Sequence, residues 1–139
     1  MSLESNKAVV RKWIEQGWNK HNIAMIDETY LPNFAQHGGG PDLNSAAELK
    51  VFVADYLKAF PDLTFTIEDL VAEGDRVVWR FVATATHQGP LMGIPATGRR
   101  ASVTGIVVFR IANDRIAEGW LNLDVLTMLQ QIGAIPVPN

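Results

Sequence analysis

The sequence predicts an α+β fold with segregated layers, helices first and antiparallel strands after. Two observations carry this. Apolar residues recur at helical spacing as far as Phe60, and from residue 63 onward the period changes to two. Turn formers then stand between the strand-like runs, at Gly74–Asp75 and at Asn113–Asp114, where tight hairpins need them.

The first helix is expected over 4–20, because Val10, Trp13, Ile14, Gly17 and Trp18 share one face. A second, over 22–31, takes Asn22 as its cap, buries Ile23, Ile26 and Tyr30, and stops at Pro32. NFAQHGGGPD then reads as a short strand and a glycine-rich turn. No Lys-Ser/Thr follows those glycines and they lack GxGxxG spacing, so they are no phosphate cradle. The third helix, 45–60, opens with a Ser45/Glu48 capping box and carries Leu49, Phe52, Val53, Tyr56, Leu57 and Phe60 inward. Strands are expected at 63–73, 76–86, 101–112 and 115–123. In the second of them Val77, Trp79, Phe81, Ala83 and Ala85 share a face opposite Arg80, Thr84 and Thr86. DVLTMLQQIG closes the chain as a short helix stopped by Gly133. Three amphipathic helices must cover one face of this sheet, and a curved sheet would leave a pocket beneath them.

The 139 residues are expected to form one domain, 1–139, burying about two-thirds of the unfolded surface. Apolar residues make up 47% and charged residues 19%, which is globular rather than disordered or membrane composition. A net charge of −3, with no basic run beyond Arg99–Arg100, argues against nucleic acid as a partner. Cysteine is absent, which excludes disulfides and thiol chemistry. Neither a signal peptide nor a membrane-spanning run is visible, so the expectation is a soluble, cytoplasmic protein with no membrane partner.

AFPDLTFTIEDLVAEGDRVVWRF, ATHQGPLMGIPATGRR, FRIANDRIAEGW and LDVLTMLQQIG, in that order and spacing, resemble the SnoaL-like polyketide cyclases across roughly 55–133. The resemblance implies a nuclear-transport-factor-like cone: a curved antiparallel sheet, three N-terminal helices over an apolar pocket, a short C-terminal helix, and usually a homodimer. It also implies cofactor-free acid/base chemistry, in which a carboxylate with a raised pKa moves the proton of an intramolecular aldol closure. Laid over those cyclases without gaps, this sequence has Leu121 at the catalytic aspartate position. Val107 and Gly105 stand at the positions of a pocket histidine and glutamine. Leu121 and Val107 are therefore expected to line an apolar substrate pocket.

Three residues remain as candidates for proton transfer. His87, in the THxG piece shared with the cyclases, is either a general base or an anchor for the 87–100 connection. Asp124 is either an acid or the N-cap of the last helix, where backbone N–H groups would lower its pKa. His37 follows the NFAQ strand; by alternation only one of Gln36 and His37 faces the pocket, and His37 is the expected one. Trp13 is either core or the border of a flat ligand. Histidines at 21, 37 and 87 lack ligand spacing, so no metal is expected. Ile106, Val108 and Trp120 share the opposite sheet face, an expected homodimer surface.

The leading expectation is a cofactor-free cyclase or isomerase acting on an apolar polyketide-like or aromatic molecule. Non-catalytic binding of a hydrophobic small molecule is the alternative, and a dimerisation scaffold is the third.

Overall fold

A computed structural model describes residues 2–138. Helix α1 (Leu3–Lys12) continues into a π-helical turn, Trp13–Trp18, and a short α2 (Met25–Thr29) leads into strand β1 (Tyr30–His37). Helix α3 (Ala46–Ala59) precedes β2 (Thr64–Glu73), β3 (Arg76–Thr86), β4 (Arg100–Ala112) and β5 (Arg115–Leu123), and α4 (Val125–Gln131) follows. The sheet order is β1-β5-β4-β3-β2. Register breaks at Ile67/Asp69 and Arg110/Ile111 mark bulges, which bend the strands that carry them. The result is an α+β fold, with helices covering the inner face of a curved sheet.

The four antiparallel strands and the two hairpins match the sequence pattern. Asn113 and Asp114 both have positive φ, 52° and 59°, as a two-residue turn matched to strand twist requires. The sheet is nevertheless mixed and not antiparallel throughout. β1 lies parallel to β5, with Gln36 opposite Gly119 and His37 opposite Trp120. Parallel pairing is possible because α3 and three further strands intervene in the chain. As an edge strand, β1 also tolerates Pro32, which has no N–H to give.

The first third departs from the simple periodic reading. The expected 4–20 helix leaves α geometry at Trp13, and Asn19 N–H and Asn22 N–H donate to carbonyls five residues back, Ile14 and Gly17, at 3.0 and 2.8 Å. Gly17 packs so tightly on the Trp13 ring that any β-carbon there would overlap it. The wider turn brings Trp13 and Trp18, five apart, within 5.7 Å of each other. α2 starts at Met25 without a side-chain cap, so Asn22 does not cap it. It ends before Pro32 because Tyr30 is already extended. Ser45 Oγ caps α3 at Glu48 N–H, 3.1 Å, while Glu48 reaches Asn44 N–H and not Ser45.

Two devices close the far end of the molecule. The 87–99 connection is fastened by His87 N–H to Arg99 O and Gly98 N–H to His87 O, both 2.8 Å, and by Gln88 and Gly89 N–H groups to Ala59 O. Asp62 accepts from both the backbone N–H and the hydroxyl of Thr86, at 2.7 and 2.8 Å. These bonds to Thr86 help hold the Asp62 carboxyl below the usual range. At the C-terminus, Gly133 N–H donates to Gln130 O and Ala134 N–H to Leu129 O, a Schellman ending with Gly133 at φ 85°.

Gly89 sits against the Lys58 carbonyl with no room for a β-carbon. Gly89→Ala should therefore cost about 1–3 kcal/mol, as overpacking does, and lower the midpoint of urea unfolding. An unchanged midpoint would show that the connection is not packed on α3 as described.

Candidate ligand cavity

Between the sheet and the helices lies a cavity of about 530 Å³, part of it open to solvent. Its roof is Trp13 and Trp18 from the π-helical turn with Leu49, Phe52 and Tyr56 from α3. Its floor is the inward row of the strands, including Trp79, Phe109, Val107 and Leu121. A second lobe of about 380 Å³ adjoins it toward Phe60 and Met128, and Tyr56, Phe65 and Leu123 line both. Helical spacing explains the roof: Phe52, Tyr56 and Phe60 stand one turn apart, with ring centroids 5.0 and 6.4 Å from their neighbours.

Among the described residues, no Asp, Glu, His, Lys or Arg lines either lobe. The polar atoms present are neutral. Gln36 is buried on β1 and contributes an amide to the larger lobe. Tyr56 Oη and Trp79 Nε1 are both buried without a hydrogen-bond partner. Burial pushes the phenols of Tyr56 and Tyr30 up, so both stay protonated.

Val107 and Leu121 are directly opposed across β4 and β5, and both side chains line the cavity, as does Trp13. Gly105 pairs with Phe81, whose ring occupies the space a side chain at 105 would need. An apolar substitution thus fills each of the three places where the resemblance puts polar pocket groups. Leu121 is further fixed by the glycine loop, for a β-carbon on Gly39 would overlap its Cδ2.

The three proton-transfer candidates lie elsewhere, and not together. His37 is on the outer face, so the expectation that it lines the pocket is corrected. Phe34 and Gln36 take the inward positions of β1, and alternation turns His37 outward. There its Nε2 meets Glu118 at 2.7 Å and its Nδ1 meets Asp42 at 3.3 Å, while Glu118 also accepts from Arg110 at 3.1 Å. The Glu118 bond chiefly raises the His37 pKa, and His37 in turn lowers that of Glu118. His87 is fully buried behind the cavity wall, its ring 5.6 Å from Phe60. Its Nδ1 accepts from Thr97 N–H at 3.3 Å and lies 3.1 Å from Thr97 Oγ1, which ties it to the 87–99 connection. Asp124 caps α4, accepting from Thr127 N–H at 3.1 Å, and bonds to Thr127 lower its pKa.

The sequence pattern offers Gln36 as the alternative to His37, and it does not single out Tyr56 or Trp79 as polar lining. Gln36 shares the face of Phe34, and the burial of Phe34 is what makes that face the inward one. Tyr56 and Trp79 fit the apolar periods of α3 and β3, and their single polar atoms give no pattern of their own.

Among the described residues, no group of three His, Asp or Glu side chains is placed to hold a metal ion. Nor is any helix long and apolar enough to cross a membrane. A curved sheet, roofed by helices around an uncharged cavity, is the architecture of an α+β cone. The chain belongs to the SnoaL-like polyketide cyclase family, whose model matches residues 8–132. A search of the curated proteins finds no match. Among solved structures, AclR from Streptomyces galilaeus, provisionally described as a hydroxylase, is 30% identical with a TM-score of 0.88, covering 99% of this chain and 87% of its own. TsrD from Streptomyces laurentii is 27% identical with a TM-score of 0.88, covering 97% and 99%. IdmH from Streptomyces antibioticus, provisionally described as a polyketide cyclase, is 28% identical with a TM-score of 0.79, covering 92% and 98%.

Gly105→Ala should destabilise the protein by about 1–3 kcal/mol, and less in a Phe81→Leu background, where the ring is gone. A double-mutant cycle reads the coupling. Strict additivity would mean that Phe81 does not fill the space at 105.

The outer-face pair predicts a pH profile. His37 has a raised pKa when folded, so its contribution is complete below its ordinary value of 6.5 and is lost as pH rises through the folded value. Glu118 has a lowered pKa, so its contribution is present above 4.5 and is lost as pH falls through the folded value. Thermal melts should place the pair's full effect between these two pH values. His37→Gln should flatten the decline above pH 6.5, and a parallel-shifted profile would contradict the pairing.

Proposed function

We propose that this chain is a cyclase- or isomerase-type enzyme that holds an apolar, polyketide-like or aromatic small molecule in the cone and needs no metal or organic cofactor. The observation that supports this best is the cavity itself, aromatic and aliphatic on every side but that of Gln36 and without a charged side chain among the described residues. Folding one flexible apolar chain face to face inside such walls brings its reacting carbons together, and that proximity can supply much of a ring-closure barrier. The membership of the SnoaL-like family supports turnover.

A second reading, binding without turnover, is favoured by one observation. Neither a carboxylate nor a histidine lines the cavity among the described residues. The two readings separate on incubation with a polyketide-like β-dicarbonyl compound, followed by mass spectrometry. Turnover yields a rearranged product, or one lighter by water. Binding alone returns the compound unchanged. Val107→Phe, which projects a ring into the cavity, should weaken binding at least tenfold under either reading, measured by quenching of tryptophan fluorescence. Unchanged binding would place the ligand elsewhere.

The active form is proposed to be a homodimer joined through the outer sheet face. Ile106 is 42% exposed there, beside half-buried Val108 and Trp120, and one isologous patch would cover each residue twice. Trp120→Asp should convert dimer to monomer in light scattering. A monomeric parent protein would refute this.

A further inference from the structure

The glycine run after β1 is not a phosphate cradle, and the structure gives it a different task. A pair of backbone bonds fastens its base: Gln36 N–H donates to Leu43 O at 2.8 Å, and Leu43 N–H to Gln36 O at 3.0 Å. Between them Gly38, Gly39 and Gly40 all take positive φ, at 84°, 76° and 130°, a course open to glycine and strained for other residues. That course lays Gly38 on the Leu121 carbonyl and Gly39 on the Leu121 side chain, each too close to accept a β-carbon. Leu121 in turn lines the cavity. The loop is a buttress for one residue of the cavity wall.

One side chain ties this loop to the sheet. His37 places Nε2 2.7 Å from Glu118 of β5 and Nδ1 3.3 Å from Asp42 of the loop. An imidazole donates to two carboxylates at once only as the cation, because the neutral ring has a single N–H. Once the proton leaves, that N–H stays on the shorter bond to Glu118, and a lone pair confronts Asp42. The other charges nearby are already engaged. Arg110 pairs with Glu118 at 3.1 Å, and Arg76 lies over the Trp120 ring, 4.7 Å from its centroid. On the helices packed against β1, Lys50 pairs with Asp27 at 2.7 Å and Glu28 with Lys12 at 3.1 Å, while Glu48 accepts from Asn44 N–H. The bonds to Glu118 and then to Asp42 raise the pKa of His37 above its ordinary 6.5.

We propose that His37 is a proton-operated clasp: as the cation it holds the 38–42 loop shut against Leu121, and on losing its proton it releases Asp42 and slackens that buttress. Below the folded pKa of His37 the cavity wall at Leu121 is braced; above it the loop opens more often. The side chains of His37 and Asp42 are 38% and 59% exposed, so the clasp shifts the population of a local opening and leaves the global fold in place. Its consequence for a bound molecule rests on the small-molecule reading given above, whereas the clasp itself is tested without a ligand.

Nuclear magnetic resonance of the full chain reads three parts separately: the His37 ring, the Leu43 amide and the Leu121 methyl groups. Raising the pH from about 5.5 to about 8.5 crosses the range in which histidine titrates. Leu43 amide exchange, corrected for its intrinsic pH dependence, should quicken about two- to fivefold, the range that one exposed ion pair supplies. The Leu121 methyl resonances should move with the same midpoint as the ring. Asp42→Asn separates a clasp from a merely structural histidine, because an amide accepts from the cation and, turned over, donates to the neutral ring. In that variant the ring should still titrate, with a lower midpoint, while the pH response at Leu43 and Leu121 falls by at least half. His37→Gln should remove the response at both residues and keep the fold. Leu43 exchange or Leu121 resonances that ignore the titration of the ring overturn the proposal. So does an Asp42→Asn variant with the full response of the parent. Neither readout involves binding or turnover, so failure of the clasp leaves the cyclase reading standing, and failure of that reading leaves the clasp.

Discussion

Strand alternation on a single curved sheet decides where the charges near this cavity go. On β3 the inward row is Val77, Trp79, Phe81, Ala83 and Ala85, all buried, while Arg80 points outward and pairs with Asp69 at 2.6 Å. On β4 and β5 the same rule sends Phe109, Val107 and Leu121 in, and Arg110 and Glu118 out. A slip of one residue on β3 or β4 would drive an arginine into the cavity and an aromatic ring into water. The full β3–β4 ladder, unbroken from Arg76 opposite Arg110 to Thr86 opposite Arg100, is what prevents it.

An interior sorted in this way presents neutral dipoles and, among the described residues, no charged side chain. A phenol, an indole N–H and an amide lie in surroundings where hydrogen bonds are electrostatically stronger than in water, because little solvent competes. The same surroundings make a free charge costly. The three aligned positions, 105, 107 and 121, form a coherent set: the Phe81 ring covers the first, and the other two are directly opposed apolar side chains. Putting one polar group back would leave it without the partners that its neighbours would have to provide.

Much of the architecture was legible because it is encoded locally. The apolar period of α3, the alternation of β2 to β5, the Asn113–Asp114 turn and the Gly133 stop each lie within a dozen residues of what they determine. The parallel β1–β5 pairing was not legible, since His37 and Trp120 are far apart in sequence and no local pattern names a partner. The π-helical turn was hidden because Trp13, Ile14, Gly17 and Trp18 fit ordinary helical spacing equally well. At Gln36 and His37 the two-residue period was visible but its phase was not. An imidazole is the more familiar pocket group, yet its carboxylate partner Glu118 lies 81 positions away.

The π-helical turn has an evolutionary consequence. Such a turn amounts to one residue inserted into an α-helix, and removing it would rotate everything beyond by about 100°. Trp18 would leave the roof, while α1 and its anchoring Ser2–Ser5 cap would stay where they are. The shape of the cavity is thus adjustable by a single codon gained or lost, without altering the sheet that forms its floor. In a lineage diversifying its ligands on this scaffold, a change of length in that turn would act as a specificity allele.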